Sequence, residues 1–283
     1  MIVAHAIDAV RQAVKEARSQ SLIIGLVPTM GALHAGHISL IRSARQEMGF
    51  VVVSIFVNPI QFAPTEDLER YPRPLTHDLE ACEEHKVDLV FAPEAEKMYP
   101  PGFRTAVEVQ ELQDLLCGAS RPGHFRGVAT VVLKLFNIVQ PDVAYFGQKD
   151  AQQARIIRQM VEDVNLPIRL RICPIVREPD GLALSSRNQY LNPGQRENAR
   201  ALYQTLEEVR KRVEKGERNA RVLREILASR IAATPGAVLD YAAVVDADNL
   251  KPLARLKGEV LVALAVKFET TRLIDNIQLS VET

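Results

Sequence analysis

The chain is poor in cysteine, has no excess of either charge and lacks a long apolar run. Cys82, Cys117 and Cys173 are its three cysteines, odd in number and widely separated. They offer neither a disulfide framework nor a metal-ligand spacing, and read as small buried side chains of a reduced, cytoplasmic protein. Basic and acidic residues balance at 35 each, for a net charge of zero. A nucleic-acid-binding face normally shows as a basic excess, so no nucleic-acid partner is expected. No apolar run reaches the ~18 residues that a membrane-crossing helix needs, so no membrane span is expected. The opening Met1-Ile2-Val3-Ala4-His5-Ala6-Ile7-Asp8 lacks the basic start of a secretory signal. Internal repeats and low-complexity tracts are also missing. What remains is 283 residues, 47% hydrophobic and 25% charged, ordinary for a globular enzyme of one large or two moderate domains.

Along the first 175 residues, short apolar runs alternate with helical spacing. Strands are predicted at Leu22–Val27, Phe50–Val57, Val87–Ala92, Val143–Phe146 and Ile168–Ile175. Helices are predicted at Ala6–Arg18, from about Gly36, and at Thr76–His85, Phe125–Val139 and Asp150–Val164. This alternation implies a doubly wound α/β fold, a parallel sheet covered on both faces. Ligands of such sheets bind beyond the carboxyl ends of the strands. After residue 175 the pattern changes. Asn192 can cap a helix Pro193–Glu214 that Gly216 stops, and a second helix spans Ala220–Ala233. Strands follow at Leu239–Val245, Val260–Val266 and Thr271–Leu279. Residues 176–283 therefore read as a smaller α+β domain with an antiparallel sheet, and residues 1–175 as the ligand-binding domain.

Four polar clusters fall at predicted strand ends. In Met30-Gly31-Ala32-Leu33-His34-Ala35-Gly36-His37, two histidines three residues apart sit at a helix start. Unpaired N–H groups and the helix dipole attract phosphate there, and glycine lets the backbone approach closely, so a nucleoside triphosphate is the natural ligand. A zinc pair is disfavoured, because no His-Glu-x-x-His follows and the cysteines do not cluster. Asn58 and Gln61 are neutral amides just past a strand, able to orient a carboxylate or hydroxyl. In Gly147-Gln148-Lys149-Asp150, Lys149 stands at a helix entry as a point charge for phosphate, with Asp150 as a possible cap and Gln153 a turn later on the same side. Asp180-Gly181 opens a loop carrying Leu184, Ser185, Ser186 and Arg187, which suits a mobile clamp on an anion. Taken singly, each cluster also reads as an ordinary capped turn. Their co-occurrence favours a site.

Five ordered motifs carry a family resemblance: Pro28–His37, Ser54–Phe62, Arg121-Pro122-Gly123-His124-Phe125-Arg126-Gly127-Val128, Phe146–Asp150 and Asp180–Asn188, with Arg272–Asn276 near the end. Together they resemble the pantothenate synthetase (pantoate–β-alanine ligase) family, within the His-x-Gly-His nucleotidyltransferases. The resemblance implies a Rossmann-like ATP domain and a C-terminal lid domain. It implies attack of pantoate on the α-phosphorus of ATP, giving pantoyl adenylate and pyrophosphate, then attack of β-alanine, giving pantothenate and AMP. By motif, Met30 to His37 form the ATP loop, with His34 and His37 on phosphate and His37 as proton donor. Gln61 and Gln153 hold pantoate, with Gln61 also near β-alanine; Asn58 joins the substrate site on the residue reading above. Gly147, Gln148, Lys149 and Asp150 line the nucleotide, completed by Val176, Leu184, Ser185, Ser186 and Arg187. Mg²⁺ is implied as a cofactor with its protein ligands unassigned. Asp78 is a candidate, although His77 replaces the first acid of a pair some members carry, and Gln148 stands where many have Glu. A cytoplasmic homodimer whose partners are small molecules completes the expectation.

Two other classes remain open on residues alone: a related nucleotidyltransferase that charges tRNA or a phosphorylated acceptor, and a non-catalytic nucleotide-binding module. The neutral charge argues against the first. Lys149, Arg187 and the amides, all present, argue against the second.

Overall fold

The computed structural model describes residues 1–64 and 66–282. They divide into two compact units. The first comprises Met1–Gln113, Arg121–Gln148 and Gln153–Pro174, and the second comprises Asp114–Ser120, Lys149–Gln152 and the chain from Ile175 on.

The first unit is built on strands β1 Ile2–Ala4, β2 Ile24–Thr29, β3 Phe50–Ile55, β4 Leu89–Phe91, β5 Val143–Gly147 and β6 Arg169–Cys173. They pair in parallel in the order β1-β4-β3-β2-β5-β6. Val51, Val52 and Val53 of β3 are wholly buried, as β-branched residues of a sheet covered on both faces should be. Its helices are α1 Ile7–Ser19, α2 Ala35–Glu47, α3 Leu75–Glu84 and the single turn α4 Ala95–Met98; the single turn α5 Cys117–Ser120 belongs to the second unit, and α6 His124–Val139 and α7 Ala151–Asp163, from Gln153 on, return to the first. Helix α2 buries Leu40, Ile41 and Ala44 against Val27, Val51, Val53 and Tyr145, while α1 and α6 pack on each other and on β2. The chain steps outward from β2 through β3 to β4, then returns to β5 on the other side of β2. The carboxyl ends of β2 and β5 therefore flank the point where strand order reverses, the usual ligand crevice of a doubly wound sheet.

The second unit holds α8 Pro193–Asn198, α9 Ala201–Glu214, α10 Ala220–Ala232 and the antiparallel sheet β7 Ala237–Asp246, β8 Gly258–Phe268, β9 Thr271–Val281. Leu202, Leu206, Val209 and Val213 recur at helical spacing on α9 and join Leu223, Leu227, Val262, Leu264 and Phe268 in its core.

Three features differ from the expected elements. β1 was not foreseen, because three residues at a sheet edge are too few to show a period. The expected helix Pro193–Glu214 is split at Ala199 and Arg200, where bonds such as Leu202 N–H to Ala199 C=O tighten the turn while the dihedrals stay helical. β2 also runs through Pro28. Its pairing with β5 stops at Leu26, so one side of the strand carries no ladder there and a proline is tolerated.

Candidate functional site

The loop after β2 is shaped by one buried acid. Gly31 and Ala32 both take left-handed backbone, with φ of 84° and 50°. This turn aims two successive N–H groups at Asp78 on α3: Ala32 N donates to Oδ2 at 2.8 Å and Leu33 N to Oδ1 at 2.7 Å. Thr29 Oγ1 donates to the Ser54 carbonyl at 2.7 Å and accepts from Gly31 N at 3.1 Å. A Cβ on Gly31 would lie 2.9 Å from Asp78 Oδ2, so glycine is required there on two counts. Asp78 is 1% exposed with both oxygens on backbone amides. Asp78 thereby shapes the loop.

The two histidines cap α2 reciprocally. His34 Nδ1 accepts from Gly36 N at 3.1 Å, and His37 Nδ1 accepts from His34 N at 3.3 Å. A backbone N–H can only donate, so neither Nδ1 carries a proton, and the neutral rings are Nε2–H tautomers. Their centroids lie 4.1 Å apart. The start of α2 thus presents two imidazole Nε2–H donors beside the positive end of a 13-residue helix, an arrangement suited to phosphate.

Next to this loop lies an amide network. Gln61 closes the turn Pro59–Gln61, and its Nε2 donates to the Met30 sulfur at 3.0 Å. Asn58 Nδ2 donates to Gln61 Oε1 at 2.9 Å and to the Gly127 carbonyl at 3.1 Å, while its Oδ1 accepts from the Tyr99 hydroxyl at 2.7 Å. Asn58 is 1% exposed and engaged by protein atoms on both ends of its amide, so it stands behind Gln61 and orients it. The Gln61 carbonyl accepts from His124 Nδ1 at 2.9 Å.

In the second unit, Lys149 Nζ lies 3.8 Å from Asp150 Oδ2, and the Lys149 carbonyl accepts from Asn276 Nδ2 at 3.0 Å. Leu184 N donates to the Val176 carbonyl at 3.0 Å, closing a small hairpin. Arg177 pins it with a two-pronged bond to buried Asp275, at 2.7 and 2.9 Å, and stacks 4.0 Å from the Tyr203 ring. Asp180 accepts from Arg196 at 2.8 and 3.2 Å, and the Gly181 carbonyl accepts from Arg177. The Asp180-Gly181 turn is therefore a tied hairpin tip. Ser185 Oγ accepts from Arg187 N at 3.2 Å and starts the turn Ser186–Tyr190.

The family model described as Pantoate-beta-alanine ligase matches residues 2–278. The chain belongs to the pantoate–beta-alanine ligase family. Among relatives, the pantothenate synthetase of Moorella thermoacetica is 57% identical over 275 residues, covering 97% of each chain. The solved pantothenate synthetase of Thermus thermophilus superposes with a TM-score of 0.93 at 45% identity, covering 98% of this chain and 99% of that one. A pantoate–beta-alanine ligase from Francisella tularensis, solved with beta-gamma ATP and beta-alanine, gives 0.78 at 37% identity, covering 98% and 97%. This ligase condenses pantoate with β-alanine at the expense of ATP.

Within the first unit of the ligase, Met30 to His37 and Gln61 come together through the Met30–Gln61 contact. Gly147 ends β5, and Gln153 lies on the first turn of α7. Gln148, Lys149 and Asp150 form a 3₁₀ turn, with the boundary between units falling after Gln148. Val176, Leu184, Ser185, Ser186 and Arg187 belong to the second unit. Sequence reading gave no role to Tyr99, Arg121 or His124. The motif Arg121–Val128 signalled the last two, but not what they touch. The cysteines are all buried; burial and nearby Asp78 push the Cys82 thiol up to about 12, which leaves it unreactive.

Proposed function

We propose that the ligase works in two steps through pantoyl adenylate, with the loop Met30–His37 as its phosphate site and Gln61 as its acid holder. The observation that carries this reading is the contact of Gln61 Nε2 with Met30 Sδ, which ties a carboxamide donor to the first residue of the loop whose far end carries two imidazole donors at a helix start. A thioether is a weak acceptor, and a pantoate oxygen replaces it readily.

The pantoate carboxylate is already an anion and needs no base. Its oxygen attacks the α-phosphorus while the bond to pyrophosphate breaks. The demand on the protein is to align two anions and meet the charge growing on the phosphates. His34 and His37 do so as hydrogen-bond donors through Nε2–H, and Lys149 and Arg187 add positive charge. Gly31, Ala32, Leu33, Ala35 and Gly36 let the backbone approach the nucleotide; Gly147, Gln148, Asp150, Val176, Leu184, Ser185 and Ser186 complete its site. Gln153 joins Gln61 on pantoate. The β-alanine amine then attacks the acyl carbon, the bond to AMP breaks, and the amine loses its proton. The Francisella complex supports ATP and β-alanine as ligands.

Among the described residues no group of three or more His, Cys, Asp or Glu could hold a metal ion. Mg²⁺ would be carried mainly by the triphosphate oxygens and would neutralise part of their charge. Among the described residues no helix is long and apolar enough to cross a membrane. On family resemblance the enzyme is a cytoplasmic homodimer; sedimentation as a single chain contradicts the dimer. To test the two steps, the enzyme is quenched after mixing with ATP, Mg²⁺ and pantoate alone. Mass spectrometry should find pantoyl adenylate, and its absence together with unspent ATP contradicts the scheme.

A further inference from the structure

We propose that Glu66, Arg121 and His124 form a positioning relay that fixes the backbone of Gln61 so that its side chain meets pantoate; the proposal rests on the assignment of Gln61 made above. The geometry dictates the protonation of His124. His124 Nδ1 lies 2.9 Å from the Gln61 carbonyl, which can only accept, so Nδ1 carries the proton. His124 Nε2 lies 2.9 Å from Arg121 Nη1, which can only donate, so Nε2 accepts. Both constraints select one state, the neutral Nδ1–H tautomer, opposite to that of His34 and His37.

Arg121 is itself held as a fork. Its Nε donates to Glu66 Oε1 at 2.5 Å and its Nη2 to Oε2 at 2.8 Å, with the two side chains 15% and 20% exposed. A largely desolvated ion pair is weak evidence for stability, because burial offsets much of its attraction. Its planar fork is strong evidence for orientation. One turn further along α6, Gly127 brings the helix onto the same peptide. A Cβ there would lie 2.5 Å from the Ile60 carbonyl oxygen, 2.6 Å from Gln61 Cα and 2.7 Å from Gln61 N. Helix α6 therefore grips Gln61 at both its carbonyl and its amide side, while Asn58 fixes the carboxamide rotamer. With Oε1 taken by Asn58, Nε2 is the end left to point at substrate.

Two experiments decide the matter. In ¹⁵N-labelled wild-type enzyme, long-range proton–nitrogen spectra should show His124 protonated at Nδ1 and His34 and His37 at Nε2. An Nε2–H signal for His124 overturns the relay, and this holds even where variants fail to fold. In kinetics, His124→Gln places its amide at the Nε2 position and should raise the pantoate KM roughly 5–30-fold with the ATP KM unchanged. His124→Asn places an N–H where Nδ1–H lies and should recover most of that loss. Equal changes in both KM values, or no rescue by Asn, contradict the proposal. Gln61→Ala separates the two levels. If it leaves the pantoate KM unchanged, the assignment of Gln61 falls and the relay with it; if it raises that KM while His124→Gln does not, the relay alone falls.

Discussion

Asp78 and the amides of Ala32 and Leu33 hold one another, although 46 and 45 residues separate them in sequence. Each bond joins a full charge to a backbone donor, about 1.5–3 kcal/mol apiece. Asp78→Ala should therefore lower the denaturant midpoint and release the loop, and Asp78→Asn should recover little, because its NH₂ end faces a backbone donor. Wild-type stability in Asp78→Ala would remove the acid from its shaping role. The histidines are a different case, since their rings serve the ligand. His37→Ala should slow adenylation roughly 10²–10³-fold, while losing its share of the α2 cap lowers the melting temperature by only a few degrees. Exchange at the wild-type rate in a folded variant contradicts its assignment. The histidine pair was legible in the sequence because its spacing is local. The tautomers, and the work of Asp78, were not: each depends on which distant donor arrives, and a chain position does not state that.

Among elements, the strand–helix alternation was legible because β-branched runs such as Val51-Val52-Val53 are long enough to show burial, and Leu202, Leu206 and Val209 show a helix face. The pairing of α6 with the turn Pro59–Gln61 was not legible. It rests on a glycine in the first turn of α6, a residue that propensity alone counts against a helix. Gly127→Ala should push the turn away at an overpacking cost of about 1–3 kcal/mol. The pantoate KM should rise while ATP binding, measured by titration, holds. A neutral Gly127→Ala on both counts would show that the turn has room to move.

For the whole molecule, the zero net charge hides carboxylates paired with arginine in each unit. Burial pushes Glu66 up, but the hydrogen bonds and charge of Arg121 outweigh it and leave its pKa below 4.5. Asp240 in the second unit is treated likewise by burial and by Arg272, and falls below 3.8. Both are lower in the folded state than in the unfolded one. Their stabilisation is therefore complete above those ordinary values and lost as pH falls through the folded ones. The melting temperature should hold steady above about pH 5 and drop below it, and Glu66→Gln should start lower and fall less steeply. An unchanged acid limb in Glu66→Gln contradicts this. The chemistry as a whole meets its most direct test in isotope exchange. Purified enzyme with Mg²⁺, ATP and pantoate, and no β-alanine, should carry labelled pyrophosphate back into ATP. Exchange that appears only when β-alanine is added contradicts a pantoyl-adenylate first step.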